Sequence, residues 1–263
     1  MKELCILYHY HSIDDLTLQH LNLIKENNPD DIVIPVTNDV DEYLPDTVDV
    51  NKFPSPWDTS SKWRSIDTTF YLWFLNREVS AKRYLILEYD CRCTMPLRDA
   101  YAEVWDADVS CRTFYTPENK PNWGWFKKEE VNKLDPEDRP YIAGVVPYVA
   151  TLFSHDGATR TIENLTYNDV FCELRMGTAI RKAGLQVQTF PESLKKTIYA
   201  TTTKLDLSKP GIYHPVKERE KFEKKLQKKY ENQRKAAQNN RKLTRKVKDA
   251  IKNTIHRFSS RFR

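Results

Sequence analysis

Two acidic side chains one residue apart, Glu88 and Asp90, follow a short apolar run at residues 84–87. A run without polar alternation is typical of a strand that is buried on both faces in a parallel sheet. Because side chains alternate along a strand, the two carboxylates are predicted to emerge on the same side. Ligand sites in parallel sheets lie beyond the carboxyl ends of the strands. The pair is therefore predicted to bind a hard divalent cation, which can in turn hold a diphosphate.

The pattern around this pair predicts an α/β fold, because strands and helices alternate and the chain opens with a strand–helix–strand unit. The predicted strands are at residues 4–8, 31–36, 48–50, 84–88, 107–114, 141–152 and 185–190. The predicted helices begin at Asp14 or Asp15, Ser61, Leu97, Ser154 or Asp156, and Asn168 or Asp169, and Gly184 is predicted to stop the last of them. A polar, extended segment at residues 191–215 then leads to His214.

The Glu88-Tyr89-Asp90 triplet resembles the D-x-D motif of GT-A glycosyltransferases, in an E-x-D form. Residues 171–185, FCELRMGTAIRKAGL, look like that family's E-D helix, in which an acid begins a helix that ends before a glycine turn. The resemblance implies a GT-A-like, Rossmann-type catalytic domain over residues 1–215, with a mixed, mostly parallel sheet flanked by helices. It also implies transfer of a sugar from a nucleotide-diphosphate sugar, UDP- or GDP-linked, to a hydroxyl on a glycan or a lipid-linked acceptor.

The resemblance assigns roles to the acidic residues and to a late histidine. Asp90, Glu88 and His214 take the places of the metal ligands, with Mn²⁺ or Mg²⁺ as the metal. Glu173 takes the place of the catalytic acid, but Cys172 stands where the family usually has a glutamate. Asp169 is the substitute candidate, because four residues along a helix would place it on the same face as Glu173.

The resemblance also implies residues that bind the two substrates. Donor recognition is expected at the first strand ends, in the helix before the acid pair and near the late histidine. The residues expected to bind the donor are His9, Tyr10, Ser12, Asp39, Arg64, Asp67, Glu88 and Lys217. Aromatic side chains in a long loop suit sugar faces, so Trp123 and Trp125 are expected at the acceptor site.

The C-terminal segment has a different composition from the rest of the chain. Residues 216–263 hold 18 of the 42 Lys/Arg but only 5 of the 37 Asp/Glu, which gives them a net charge of +13 and leaves −8 elsewhere. Apolar residues recur there mostly every four positions, so the segment is predicted to be a basic amphipathic helical extension. It is expected to bind an anionic membrane surface. Packing on the catalytic domain and binding nucleic acid are the less favoured alternatives.

Two other functions remain open from the sequence. A nucleotidyltransferase of the same fold is one, although its Gly-rich N-terminal signature is absent here. A non-catalytic binding protein that acts through the basic segment is the other. The sequence shows no apolar run of membrane-spanning length and no signal peptide. Its five cysteines form no metal-binding spacing and are interpreted as reduced thiols, so a cytoplasmic protein, alternatively peripheral at the membrane face, is expected.

Overall fold

Apolar runs rich in leucine, isoleucine and tyrosine form the centre of a seven-stranded sheet in the computed structural model. The structure describes residues 1–38, 42–57, 64–146, 149–198 and 209–216. The described strands are β1 (Lys2–His9), β2 (Ile32–Thr37), β3 (Val48–Asp49), β4 (Ala81–Glu88), β5 (Arg92–Cys93), β6 (Val109–Cys111), β7 (Thr113–Tyr115), β8 (Gly144–Val146), β9 (Leu152–Ser154), β10 (Val187–Thr189) and β11 (Ile212–Tyr213). The described α-helices are α1 (Asp15–Asn27), α2 (Asp67–Asn76), α3 (Leu97–Ala100), α4 (Lys128–Val131), α5 (His155–Glu163), α6 (Cys172–Lys182) and α7 (Glu192–Lys195).

The central sheet has the strand order β10-β6-β9-β4-β1-β2-β3 and is mostly parallel. Only β9 runs against its neighbours β4 and β6, while the other four strand pairs are parallel. The strands β5 and β11 form a separate antiparallel pair, as do β7 and β8. The predicted α/β fold with a mixed, mostly parallel sheet is confirmed.

Helices cover both faces of this sheet, because the strand residues alternate between two hydrophobic clusters. Cys5 and Leu7 of β1 pack in a cluster with residues of α2, α5 and α6. Leu4 and Ile6 of β1 pack in the other cluster with residues of α1 and α3. The sheet is therefore buried on both faces, and a ligand site can form only at the ends of its strands.

The sequence predicts where helices α1 and α5 begin because each carries its own cap. The Asp14 carboxylate accepts a hydrogen bond from Thr17 N (2.8 Å), and the Ser154 hydroxyl accepts one from Gly157 N (2.8 Å). At the other end of α6, Gly184 has a φ of 64° and donates to Arg181 O, while Leu185 N donates to Ile180 O. Glycine takes this left-handed conformation without strain, so the predicted stop is confirmed.

Several predicted elements are shorter than expected. The strand predicted at 107–114 is divided into β6 and β7, and the long strand predicted at 141–152 is divided into β8 and β9. The helix predicted from Asn168 or Asp169 begins only at Cys172. None of the described helices is long and apolar enough to cross a bilayer. Residues 217–263, which include the predicted basic helix, lie outside the described residues.

Candidate metal and catalytic site

The carboxyl ends of the two central strands meet at one edge of the sheet. In the parallel register of β1 and β4, His9 is the partner of Glu88, and both are the last residues of their strands. His9 also pairs with Val36 of β2, so three strand ends converge there. Side-chain alternation places Glu88 on the face that α2 and α6 cover, because Tyr84 and Ile86 pack in their cluster.

A tight turn follows β4 and carries Asp90. Cys91 N donates to Glu88 O (2.9 Å). Two side chains contact the carbonyl oxygen of Tyr89, the residue between the two acids. The Tyr8 hydroxyl lies 2.9 Å from both Tyr89 O and Thr17 O and shares its proton between them, and His20 Nδ1 lies 3.0 Å from Tyr89 O. Contacts with the buried core therefore fix the backbone segment that carries both acids.

His214 lies next to this turn although it comes more than 120 residues later in the sequence. The strand β11 pairs with β5, which follows the turn, and Val216 N donates to Asp90 O (2.8 Å). His214 Nε2 consequently lies 3.2 Å from Asp90 Oδ1 and 3.4 Å from Glu88 Oε2. The structure brings together the three residues that the sequence predicted as metal ligands, although β4 ends at Glu88 and Asp90 lies in the turn.

The electrostatics of this cluster are dominated by its two acids. Burial lowers the pKa of His214, but hydrogen bonds to Asp90 and Glu88 and their negative charges outweigh burial and raise it to about 9. Asp90 is only 3% exposed and His214 only 7%. Carboxylate oxygens and an imidazole nitrogen form a donor set that suits Mn²⁺, so the residues present fit the predicted cation.

Cys91 also lies at this cluster, and the sequence did not suggest it as a ligand. One ligand atom each of Asp90, Cys91 and His214 lie within 4.8 Å of one another. Burial and the charge of Asp90 raise the pKa of the Cys91 thiol, which keeps the thiol protonated in the metal-free protein. All five cysteines lie among the described residues, where they are buried and form no disulfide bond.

Glu173 lies in the first turn of α6 and approaches Glu88. Burial raises the pKa of its carboxyl to about 7, the Trp125 indole N–H opposes this by hydrogen bonding, and the charge of Glu88 raises it further. A carboxyl that titrates near neutrality is suited to accept or donate a proton. Helix α6 can pack closely against the start of β8 because residue 177 is glycine, where an added Cβ would lie 2.4 Å from Ala143 O.

Asp67, which was expected to approach the donor, forms a fully buried ion pair instead. Its carboxylate accepts two hydrogen bonds from the Arg175 guanidinium, Nε to Oδ2 at 2.9 Å and Nη2 to Oδ1 at 2.5 Å. Asp67 is 0% exposed and Arg175 is 1% exposed. This pair joins α2 to α6.

Arg64, the other residue expected near the diphosphate, contacts acids at the start of α6. Its guanidinium lies 2.6 Å from Glu130 Oε2 and 3.4 Å from Asp169 Oδ1. Its backbone oxygen accepts a hydrogen bond from Cys172 N (2.9 Å).

The expectation that Asp169 shares a helix face with Glu173 is wrong, because Asp169 lies before the helix. The Glu130 carboxylate binds the backbone N–H of Phe171 (3.2 Å), which is the N-cap residue of α6. The N–H of Phe171 thereby has a side-chain acceptor and needs no carbonyl from a preceding helical turn. Asp169 is half-exposed and contacts Arg64 and Lys133.

Three of the residues expected to bind the donor, at and after the end of β1, lie in different surroundings. His9 is buried beside Glu88 and contacts Asn38 Oδ1 (3.4 Å). The Tyr10 hydroxyl is buried too and binds Thr47 Oγ1 (2.8 Å). Ser12 is exposed at the edge of the sheet. Asp39 and Lys217 lie outside the described residues.

The two tryptophans expected at the acceptor site are both half-buried in the loop between β7 and α4. Trp123 covers Gly144, where an added Cβ would lie 2.1 Å from the indole ring. Trp125 stacks on Phe171 with ring centroids 3.8 Å apart, and its N–H binds Glu173. The structure therefore brings Trp125 to Glu173, a contact that loop composition alone could not indicate.

Comparisons with known proteins give a limited result. No protein-family model matches the sequence, and no curated protein is significantly similar to it. Among solved structures, the chain is similar to the galactosyltransferase LgtC in complex with donor and acceptor sugar analogues, with 13% identity and a TM-score of 0.36, over 70% of this chain and 72% of that one. It is also similar to the glycosyltransferase GlyE of Streptococcus pneumoniae TIGR4, with 10% identity and a TM-score of 0.33, over 72% of this chain and 45% of that one. TM-scores below 0.5 do not establish a common fold, so the case for a function rests on the side chains themselves.

Proposed function

We propose that the chain is a metal-dependent glycosyltransferase that moves a sugar from a nucleotide-diphosphate sugar, UDP- or GDP-linked, to a hydroxyl of a glycan or lipid-linked acceptor. The observation that carries this proposal is the convergence of Glu88 and Asp90 on His214 at the carboxyl edge of the sheet, with Glu173 near enough for the charge of Glu88 to raise its pKa. Clustered carboxylates attract a cation. The carboxyl edge of the sheet is also where α/β sheets bind nucleotides.

The cation is proposed to bind Asp90 and His214, with Glu88 as a further ligand or as a partner of the donor ribose. When bound, Mn²⁺ or Mg²⁺ would offset the charge that develops on the departing diphosphate. Tyr8 and His20 contact the carbonyl oxygen of Tyr89, the residue between the two acids, so this backbone segment is held in place before any substrate binds. His214 would have to lose its ring proton to serve as a ligand, so metal affinity would fall as pH decreases.

Glu173 is proposed to take the proton of the acceptor hydroxyl. Its carboxyl has a pKa of about 7, because burial and the charge of Glu88 disfavour the ionised form. A base with this pKa is ionised in a large fraction of molecules at neutral pH and still binds a proton well enough to receive it. Because Glu173 is near enough to Glu88 to feel its charge, the proposed base lies close to the proposed metal and donor.

The basic segment at residues 216–263 is proposed to attract an anionic membrane surface, which would suit a lipid-linked acceptor and a peripheral cytoplasmic location. Its net charge of +13 supports this, since each basic residue near an anionic surface contributes about 1 kcal/mol. The same charge also supports the rival function, a non-catalytic binder that acts through the segment. Deletion of residues 218–263, which keeps Lys217, separates the two: an enzyme keeps metal-dependent donor hydrolysis, whereas a binder has none to keep.

The proposal is tested by a thermal-shift panel of UDP- and GDP-linked sugars with and without Mn²⁺. A ligand that binds the folded state raises its apparent stability. We expect one class of donor to raise the Tm only when Mn²⁺ is present, and the rise to vanish in Asp90→Asn. Asp156→Asn, which removes an exposed acid of α5, is the matched control and keeps the rise. No rise with any donor in a folded wild-type protein would overturn the proposal, and conversion of sugar phosphates with nucleoside triphosphates would favour a nucleotidyltransferase.

A further inference from the structure

An exposed aromatic ring, that of Tyr167, takes no part in the proposed metal and catalytic site. Tyr167 is 56% exposed, although its ring packs on the buried Trp57 with centroids 5.4 Å apart and an interplanar angle of 31°. Trp57 in turn packs on Tyr71 of α2, which is fully buried, with centroids 5.6 Å apart. The three rings therefore form a stack that runs from the core to the surface and leaves the outer face of Tyr167 to solvent.

The loop that carries Tyr167 is held on both sides of the ring. Thr166 Oγ1 donates to Asp135 Oδ2 (3.0 Å), and Asn168 Nδ2 donates to Asp135 Oδ1 (2.7 Å). Asn168 O also accepts a hydrogen bond from Arg175 Nη1 of α6 (3.2 Å). Because both neighbouring side chains bind one carboxylate and the ring itself packs on the core, Tyr167 can meet a ligand without the entropy cost of ordering a mobile side chain.

Two helices place this stack at the carboxyl edge of the sheet. Helix α2 begins at that edge, because Thr69 Oγ1 in its first turn lies 3.5 Å from Nε2 of His9, the last residue of β1. Tyr71, at the base of the stack, is two residues further along α2. Tyr167, at its outer end, comes shortly before α6, whose first turn carries Glu173. The open ring therefore lies at the same edge of the sheet as the proposed site.

The polar surroundings of the ring suit a neutral, hydroxyl-rich ligand. Asp169, two residues after Tyr167, is half-exposed, and its carboxylate lies 3.4 Å from Arg64 and 3.6 Å from Lys133. The same two cations also pair with Glu130, so these charges cancel and leave no excess positive charge to attract the diphosphate of a nucleotide. A carboxylate accepts hydrogen bonds from hydroxyl groups, and an aromatic ring packs on the apolar C–H face of a sugar.

We propose that Tyr167 is the platform on which a neutral sugar ring of the acceptor stacks, with the Asp169 carboxylate accepting hydrogen bonds from its hydroxyl groups. The part of the acceptor that is recognised is then a glycan, whether or not a lipid is attached to it. The inference deepens the proposed function, on which it rests for the identity of the bound sugar as the acceptor. The stack itself involves neither the metal ligands nor the donor.

The test uses the full chain with Mg²⁺ and saturation-transfer difference NMR, which reports the ligand protons that contact the protein. The probes are the methyl glycosides of glucose, galactose, mannose and N-acetylglucosamine. We expect at least one of them to bind through its C–H protons. Its Kd should rise roughly tenfold in Tyr167→Leu, the scale of one stacking contact. Leucine keeps an apolar side chain over Trp57 and removes only the flat ring, and a Tm measurement verifies that the variant is folded.

Two matched variants make the result specific. Tyr167→Phe keeps the flat ring and should bind the sugar as the wild type does. Tyr141→Leu removes another exposed tyrosine and should leave the Kd unchanged. Tyr141 lies toward the other end of α6, because Arg181 in the last turn of that helix donates to the backbone oxygen of the next residue, Ile142 (2.9 Å).

Three results would overturn the inference. The first is an equal Kd in wild type and in folded Tyr167→Leu, and the second is no contact of the wild type with any of the four glycosides. The third is a contact through the base protons of UDP or GDP that is lost in Tyr167→Leu, because the ring would then bind the nucleotide. A sugar contact that is lost in Tyr167→Leu, in a protein whose Tm no nucleotide sugar raises, would support the platform and overturn the proposed function.

Discussion

Two clusters of buried charge in this protein are balanced in different ways. Asp67 and Arg175 neutralise each other through two hydrogen bonds and are both closed off from solvent. At the carboxyl edge of the sheet, Glu88 and Asp90 converge on the imidazole of His214, and the charge of Glu88 also acts on Glu173. A buried ion pair with good geometry is complete without a ligand, whereas clustered acids stay costly until a cation joins them. The difference separates a structural contact from a site.

The largest effect is expected from breaking the complete pair. Arg175→Met leaves the Asp67 carboxylate buried and without its guanidinium, which should lower the free energy of unfolding by roughly 3–5 kcal/mol in urea denaturation. Lys195→Met removes an ion pair to the exposed Glu192 and should cost at most about 1 kcal/mol. Equal losses in the two variants would show that the buried pair is not the joint between α2 and α6 that its geometry indicates.

The opposite behaviour is expected in the acid cluster, where neutralising an acid should cost activity and spare the fold. Glu173→Gln should slow sugar transfer by about 10²- to 10⁴-fold, the usual contribution of a general base. Glu163→Gln, at the exposed end of α5, serves as the control for both readouts. Normal transfer by Glu173→Gln would exclude Glu173 as the base.

The same variant tests the pKa of Glu173 through stability. Burial raises this pKa from 4.5 to about 7, so the folded state binds a proton more tightly than the unfolded state does. The contribution of Glu173 to stability is therefore fully present below pH 4.5 and is lost as pH rises toward about 7. The Tm of Glu173→Gln relative to wild type should increase over that interval and level off above it. A constant difference would contradict the raised pKa.

A smaller effect, on Mn²⁺ affinity, is expected from removing a hydrogen bond to the turn that carries the proposed metal ligands. Tyr8→Phe removes one of the two side-chain contacts to Tyr89 O and leaves His20 Nδ1. Contacts of this kind typically change metal affinity by 10- to 100-fold, so we expect Mn²⁺ to bind about tenfold more weakly. Tyr84→Phe removes a hydroxyl that contacts His155 and Ala81 N near the start of β4 and should leave Mn²⁺ affinity unchanged. If both variants bind Mn²⁺ as the wild type does, the turn does not need its hydroxyl support.

The sequence predicted the parts of the site that depend on local pattern. Strand β4 and its terminal acids follow from an apolar run that ends in polar residues. The starts of α1 and α5 follow from Asp14 and Ser154, whose side chains bind the helix N–H groups three residues away. Such signals lie within a few residues and need no knowledge of the fold.

The errors and omissions come from contacts between distant residues. Helix α6 begins later than predicted because Glu130, 41 positions earlier, binds Phe171 N. Asp67 was assigned to the donor because its partner Arg175 is 108 positions away. The contact of Trp125 with Glu173 joins a loop to a helix start, and no periodicity in the sequence encodes it. Motif spacing can name acids at a strand end, but only packing decides which acids already have a cationic partner.

The measurement that tests the central claim most directly is a titration of Mn²⁺ into the nucleotide-free protein, followed by the EPR signal of free Mn²⁺. Wild type, Asp90→Asn and Asp156→Asn are compared at pH 8. The imbalance of charge around His214 predicts saturable binding of one Mn²⁺ per chain in wild type and in Asp156→Asn, and its loss in Asp90→Asn. Equal binding by Asp90→Asn, or no saturable binding by folded wild-type protein, would contradict the account of this edge of the sheet as a cation site.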